Sequence, residues 1–133
     1  MPQKEKELIQ IDSVKIYKYF VERGFTTMGA YTHFNDLKKQ ETRQLTVSAV
    51  DAEKLQQIMH SAKRMKHFQR KLGGGLVFCE MQFANQTLAS RVVIGLGTEV
   101  SGIMDLTARR DYVVKESSDV QWLSDFANRL RSR

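Results

Sequence analysis

The chain has 133 residues, with 21 Lys and Arg against 15 Asp and Glu, so its formal net charge is +6. Hydrophobic residues make up 41% and charged residues 27%, a balance typical of folded domains that excludes wholesale disorder. The single cysteine excludes an intramolecular disulfide framework and any zinc or redox motif that needs two cysteines.

The N-terminal segment carries no recognisable targeting signal. Its first ten residues, MPQKEKELIQ, lack an apolar stretch behind a basic one, and no apolar run in the chain approaches the ~20 residues needed to cross a bilayer. We therefore expect a cytoplasmic protein without a membrane partner. Its length suits one domain over residues 1–133, in which residues 1–12 form a disordered tail.

The segment DSVKIYKYFVERGF, residues 12–25, fits two kinds of element. A helix would place Val14, Tyr17, Phe20 and Val21 on one face. A strand would use the same β-branched and aromatic residues, which favour a pleated sheet. We favour the strand, because ERGF then forms a turn into a second extended segment, TTMGAYTHF.

A first amphipathic helix is predicted near residues 51–66. Asp51 is placed to cap it, and apolar residues then recur at helical spacing. The residues of this apolar arc are Leu55, Ile58, Met59, Ala62 and Met65. Just before the helix, Leu45, Val47 and Ala49 alternate with polar residues, which indicates a short strand.

After three glycines the hydrophobic period changes to two, which is typical of strands. In the first of these strands one face carries Val77, Cys79, Met81 and Phe83. Further strands are predicted around Val92 to Leu96, over residues 100–107 and at DYVVKE. The connections ANQT, GLGTE and ARRD are short enough to join antiparallel neighbours.

A second amphipathic helix is predicted near residues 118–131. Ser118 and Gln121 form a capping-box pattern at its start. Its apolar stripe comprises Trp122, Leu123, Phe126, Ala127 and Leu130. The predicted fold class is therefore α+β, a mainly antiparallel sheet of strand meanders with two packed amphipathic helices.

The stretch KRMKHFQRKLGGGLVFCEMQF, Lys63 to Phe83, resembles two binding motifs only superficially. A phosphate-binding loop needs a strand before its glycines and a helix after them, and here that order is inverted. An RNA recognition motif needs aromatic residues that stack on bases, but Gly74, Leu76 and Cys79 occupy those positions. We expect neither a nucleotide loop nor an RNA recognition strand.

No short motif in the chain indicates catalysis, and we predict no catalytic, cofactor or metal site. Cys79 is expected to be buried and inert within its apolar strand face. His60 and His67 would lie about 10 Å apart along a helix, which is too far to share a metal. An enzyme would need a site assembled from scattered residues such as His33, His67 and Glu80.

A run without any acidic residue extends from Lys54 to Cys79 and contains six Lys and Arg. Cations in the last turns of a helix complement its dipole and need no partner. The same cations, with others at a hairpin tip, also suit the binding of an acidic partner. The candidate partner-binding residues are Lys63, Arg64, Lys66, Arg70, Lys71, Arg109 and Arg110. A second basic cluster, Arg129, Arg131 and Arg133, has the same two interpretations.

Three functional hypotheses follow. The leading one is a non-enzymatic intracellular module that binds another protein, one with an acidic surface, through a sheet face or the basic helix. The alternative is a nucleic-acid-binding accessory protein that contacts phosphates through the basic helix, residues 54–71. The third is an enzyme with a site assembled from scattered residues. The sequence predicts neither the identity of the partner nor the oligomeric state.

Overall fold

The computed structural model describes residues 9–21, 25–26, 34–35, 44–66, 71–72, 76–84, 86–97 and 99–131. Strands dominate these ranges, with one helix in the middle of the chain and one near its end. In chain order the elements are β1 (Ile11–Val21), β2 (Phe25–Thr26), β3 (Gln44–Thr46), α1 (Ala49–Ser61), β4 (Lys63–Lys66), β5 (Lys71–Leu72), β6 (Leu76–Phe83), β7 (Ser90–Gly95), β8 (Ser101–Asp105), β9 (Arg110–Val114) and α2 (Ser117–Arg131).

Seven of the strands form one antiparallel sheet in the order β3-β1-β6-β7-β8-β9-β4, and β2 pairs with β5 in a separate ladder. From β6 to β9 each strand pairs with the next along the chain, so these four strands form a meander. The short turn-like connections predicted this arrangement, because they cannot reach anything but an adjacent strand. The predicted α+β fold with an antiparallel meander is confirmed.

Helix α1 crosses the whole width of the sheet, because it joins the two outermost strands, β3 and β4. Six strand intervals span about 29 Å, whereas a helix of 13 residues is about 20 Å long. The extended residues between the helix and the two strands supply the remaining length. This crossing places the basic segment after α1 at the far edge of the sheet.

Both helices pack on one face of the sheet and form the main core. The strands contribute Val14, Ile16, Val77, Cys79, Met81, Val92, Ile94, Ile103 and Tyr112, and the helices contribute Leu55, Ile58, Met59, Leu123, Phe126 and Leu130. Two ion pairs link the helices at their exposed sides, Lys54 to Asp119 and Arg129 to Asp51, each at 3.5 Å. The alternation predicted for the strand after the glycines is confirmed, since its Val77 face lies in this core.

The opposite face of the sheet is also buried at its centre. Phe78, Val93 and Met104 are cross-strand partners there, and their exposed fractions are 0%, 0% and 4%. The ring of Phe34 packs edge-to-face on Phe78, with centroids 5.1 Å apart, and on Tyr17 at 6.2 Å. In the described part of the chain, neither face of the central strands is therefore open to a partner.

The first predicted helix exists, but both of its ends differ from the prediction. Ser48 caps it, because the Ser48 Oγ accepts a hydrogen bond of 3.3 Å from the Asp51 N–H. The cap predicted at Asp51 is wrong, since Asp51 lies in the first turn. The helix ends at Ser61, and the next residues form strand β4. The basic helix predicted over residues 54–71 is therefore wrong at Lys63–Lys66, where pairing with β9 replaces helical hydrogen bonds. Residues 67–70 lie outside the described residues.

Helix α2 begins at Ser117, one residue earlier than predicted. The cap predicted at Ser118 is wrong, because the Glu116 carbonyl already accepts the hydrogen bond of the Val120 N–H. The predicted apolar stripe is confirmed. Its buried members are Leu123, Phe126, Ala127 and Leu130, and Trp122 packs against them at the border.

The N-terminal segment forms the strand that we favoured, since β1 runs from Ile11 to Val21. Ile9 is buried and its neighbour Gln10 accepts a hydrogen bond from the Ala84 N–H, so the predicted disordered tail does not extend to residue 12. Residues 1–8 and the turn predicted at residues 22–24 lie outside the described residues. Within the described ranges, no helix has the length and apolar character that crossing a membrane requires.

Candidate functional site

Five of the predicted cations lie together at one corner of the sheet, which we call the basic corner. It consists of Lys63, Arg64 and Lys66 on β4 and of Arg109 and Arg110 at the turn between β8 and β9. The β4–β9 ladder joins the two groups by placing Lys66 opposite Arg110. The sequence placed them at the end of a helix and at the tip of a distant hairpin, and the sheet brings them to one corner, with Lys63 on the face opposite Arg64, Lys66 and Arg110.

The two remaining predicted residues are not part of this corner. Lys71 begins β5 and is the register partner of Thr26 in the separate two-stranded ladder. Arg70 lies outside the described residues. Only five of the seven candidates therefore define the surface that the structure describes.

Lys66 and Arg110 carry like charges on the same face of the sheet. Residues directly opposite each other on antiparallel strands have Cβ atoms about 5 Å apart, and like charges at such positions are destabilising. On its other side Arg110 is the register partner of Asp105. Burial raises the pKa of the Asp105 carboxyl, and the positive charge of Arg110 opposes that rise. Lys66 is exposed, so its ammonium group adds a second positive charge beside Arg110 at the edge of the sheet.

Arg64 is held in place by an aromatic ring. Its guanidinium carbon lies 5.8 Å from the centroid of the Tyr112 ring, within the range of a cation–π contact. Tyr112 is itself part of the core and is 4% exposed. The ring therefore fixes the orientation of a half-buried cation between the two exposed lysines of β4.

The turn that carries Arg109 and Arg110 is tied down at several points. The Asp105 Oδ1 accepts a hydrogen bond of 2.9 Å from the Ala108 N–H. The Thr107 Oγ1 accepts one of 3.0 Å from the Arg91 N–H, which fastens the turn to β7. Arg109 has a φ of 56°, in the left-handed region that glycine prefers and that costs other residues about 1 kcal/mol. The turn thus holds an exposed arginine where a glycine would be more stable.

Asp105 supports this turn from inside the protein. Its carboxyl is buried, and burial raises its pKa above the ordinary value. Hydrogen bonds from the Ala108 and Thr107 N–H groups and from Ser90, together with the charge of Arg110, oppose this rise without cancelling it. Asp105 therefore positions the turn from inside the protein.

An open groove of about 340 Å³ runs along the basic corner. Its lining consists of Arg64, Met65, Lys66, Ala108, Arg109 and Arg110. Four of these six side chains are cationic, and none of the described residues in the lining is acidic. Such a lining suits carboxylate or phosphate groups, because it offers several charged hydrogen-bond donors around one opening.

Sequence analysis missed the position of Met65 in this groove. Helical spacing assigned it to the buried arc of the first helix, but it lies on β4 and is 43% exposed. It also counted Lys54 and Arg129 among the available cations. Both are ion-paired between the helices, and the Arg129 guanidinium lies 5.6 Å from the Phe126 ring.

Of the three residues considered for catalysis, the structure describes Glu80. Glu80 accepts a hydrogen bond of 2.5 Å from the Tyr17 hydroxyl, and burial together with this bond raises the pKa of Tyr17. His33 and His67 lie outside the described residues. Among the residues that are described, no group of three or more His, Cys, Asp or Glu is placed to hold a metal ion.

Cys79 is buried as predicted, with an exposed fraction of 0%. Its Sγ donates a hydrogen bond of 3.3 Å to the Val92 carbonyl oxygen. Burial, with smaller contributions from the charges of Asp105 and Glu80, raises the pKa of the thiol. The thiolate that a nucleophile requires is therefore disfavoured.

Comparisons with known proteins provide no guide to this site. The chain matches no protein-family model, no curated protein and no solved structure. Any function must therefore be argued from the basic corner itself, which is the one place where the predicted candidate residues meet in the described part of the chain.

Proposed function

We propose that the protein is a non-enzymatic module that binds an acidic segment of another protein through the basic corner. The observation that carries this proposal is the Lys66–Arg110 pair, two like charges placed opposite each other beside a cationic groove. An acidic ligand would be attracted to both cations and would offset the repulsion between them. Carboxylates would also form charge-assisted hydrogen bonds with the surrounding guanidinium groups.

A purely structural explanation accounts for part of the corner. Edge strands often carry lysines, because exposed charges prevent other chains from pairing with the edge. This explains Lys63 and Lys66 on β4. It does not explain why Arg109 occupies a left-handed position at the adjacent turn, nor why Arg110 lies opposite Lys66. Binding of an anion would account for the positive charges of all four residues.

Two features favour protein over nucleic acid as the partner. Proteins that bind single-stranded nucleic acid stack bases on exposed aromatic side chains, often on an open sheet face. Here both faces of the central strands are covered, and Tyr112, the aromatic residue at the corner, is 4% exposed. The groove offers the exposed thioether of Met65 instead, which suits an apolar side chain next to carboxylates.

The test reverses one charge at a time, at two positions that are distant in the sequence and close together in the structure. Lys66→Glu and Arg109→Glu each alter the corner, and both residues are exposed. Lys115→Glu is the matched control, because Lys115 is also exposed and lies beyond the other end of β9. All three variants change the net charge equally, and each should retain a cooperative thermal transition.

Affinity capture from a nuclease-treated lysate, followed by mass spectrometry, gives the measurement. We expect wild type and Lys115→Glu to capture the same protein with an acidic segment, and both corner variants to lose it. Capture that is equal for all four proteins would remove the corner from the binding surface. Capture that disappears on nuclease treatment would assign the corner to nucleic acid.

A further inference from the structure

We infer that the acidic segment binds in an extended conformation along β4 and continues the sheet as an eighth strand. This inference rests on the proposed function and specifies how the basic corner would recognise its partner. It combines three observations: the position of β4 in the sheet, the alternation of its side chains, and the charges around it.

The first observation is that β4 is a terminal strand. The sheet order ends in β9-β4, and among the described residues the neighbour of β4 in this sheet is β9. A strand at the edge of a sheet presents main-chain donors and acceptors along its outer side, and extended peptides bind proteins by pairing with such edges. The opposite terminal strand, β3, has the sequence QLT and carries no charge. The positive charges of β4, which β3 lacks, therefore favour β4 as the edge that an acidic peptide would bind.

The second observation is that β4 offers different chemistry on its two faces. Arg64 and Lys66 share the face of Arg110, whereas Lys63 and Met65 share the opposite face. An added strand would place alternate side chains on these same two faces. The fitting segment therefore has Asp or Glu at positions i and i+2, facing Arg64 and Lys66 of β4, and an apolar residue at i+1, next to Met65.

The third observation is that the charges on β4 disfavour a second copy of this chain as the occupant of the edge. Two copies joined through β4 would place Lys and Arg of one copy opposite Lys and Arg of the other. Like charges directly opposite each other destabilise a strand pair. Lysines on an edge strand oppose self-association in this way, and the same charges attract an acidic partner.

The experiment uses labelled peptides of alternating Glu and Val, and their binding is measured by fluorescence anisotropy. A block peptide with the same composition keeps the charge and removes the alternation. Two further peptides carry N-methyl groups, one on every Glu and the other on every Val. A strand that pairs along just one of its two sides donates main-chain hydrogen bonds from every second residue. N-methylation of one set should therefore weaken binding at least tenfold, while N-methylation of the other set should leave it within about twofold.

The outcomes separate this inference from the proposed function. We expect wild type and Lys115→Glu to bind the alternating peptide, and Lys66→Glu and Arg109→Glu to bind it at least tenfold more weakly. If the block peptide and both N-methylated peptides bind wild type as well as the alternating peptide does, strand addition is wrong and charge recognition stands. If no acidic peptide distinguishes wild type from the corner variants, the proposed function fails as well. Tighter binding of a single-stranded oligonucleotide of equal charge would also contradict the proposed protein partner.

Discussion

Lys66 lies directly opposite Arg110 on the β4–β9 ladder, so two positive charges share one face at the edge of the sheet. The pair is not forced by the core, because Lys66 is exposed and belongs to a terminal strand. A neutral polar residue at either position would keep the ladder and remove the repulsion. The contact between like charges is therefore a feature that the ladder itself does not require.

Replacement of Lys66 by Gln should stabilise the folded protein by about 0.5 kcal/mol, because it removes the repulsion from Arg110. Lys63→Gln is the control, since the register partner of Lys63 is Val113 and no like charge lies opposite it. Urea unfolding at low salt measures both variants. The gain from Lys66→Gln should disappear in about 1 M salt, where the screening length falls to ~3 Å. A loss of stability on this replacement would show that Lys66 has an attractive partner.

The strands were predictable because each carries its pattern locally. From Val77 to Val114 short apolar segments are separated by connections too short for any arrangement but a meander. Residues 63–66 were not predictable in this way. Met65 continues the helical spacing of Met59 and Ala62, and a four-residue edge strand buries too little to establish its own period. Pairing with β9, which is distant in sequence, determines its structure.

The residues of the basic corner could be predicted from the sequence, but their proximity in the fold could not. The run without acidic residues after Lys54 identified the three cations of β4, and the predicted hairpin tip identified Arg109 and Arg110. Their assembly depends on α1 crossing the sheet and delivering β4 to the edge beside β9. That crossing is a tertiary relationship between elements about 45 residues apart along the chain, and no local pattern encodes it.

Asp105→Asn should stabilise the protein above the acid range and have little effect below it. Burial raises the pKa of the Asp105 carboxyl, so the folded state holds this proton more tightly than the unfolded state does. The contribution of the wild-type residue to stability therefore falls as the pH rises through the carboxyl range. Asparagine keeps an Oδ1 for the Ala108 N–H and does not ionise.

The measurement is the difference in the free energy of unfolding between Asp105→Asn and wild type at a series of pH values. It should be near zero in acid and grow as the pH rises. Asp125→Asn is the control, because it removes one carboxyl from the exposed side of α2. A difference that shrinks with rising pH would show that the attraction of Arg110 outweighs burial at Asp105.

Cys79→Ser should cost about 1–2 kcal/mol, because the more polar hydroxyl would lie in a fully buried position of the core. Cys79→Ala is the comparison, since it removes the sulfur without burying a hydroxyl. A thiol reagent should react with the native wild-type protein only through transient opening, and rapidly once the protein is unfolded in denaturant. Fast reaction under native conditions would show that Cys79 is accessible and would contradict its structural role.

Arg109→Gly should make the protein more stable and a weaker binder at the same time. Glycine adopts the φ of 56° without strain, and relief of that strain should contribute about 1 kcal/mol, reduced in part by the greater freedom of glycine in the unfolded chain. The replacement also removes the arginine at the tip of the basic corner, so the affinity for an acidic peptide should fall.

Arg109→Ala separates the two effects, because alanine removes the same charge and retains the backbone strain. The two variants should bind the alternating Glu–Val peptide equally weakly, while the glycine variant unfolds at the higher urea concentration. Equal stability of the two would show that the turn holds Arg109 without strain. Undiminished peptide binding by both would show that Arg109 contributes nothing to recognition, and the strained arginine would then have no function at this corner.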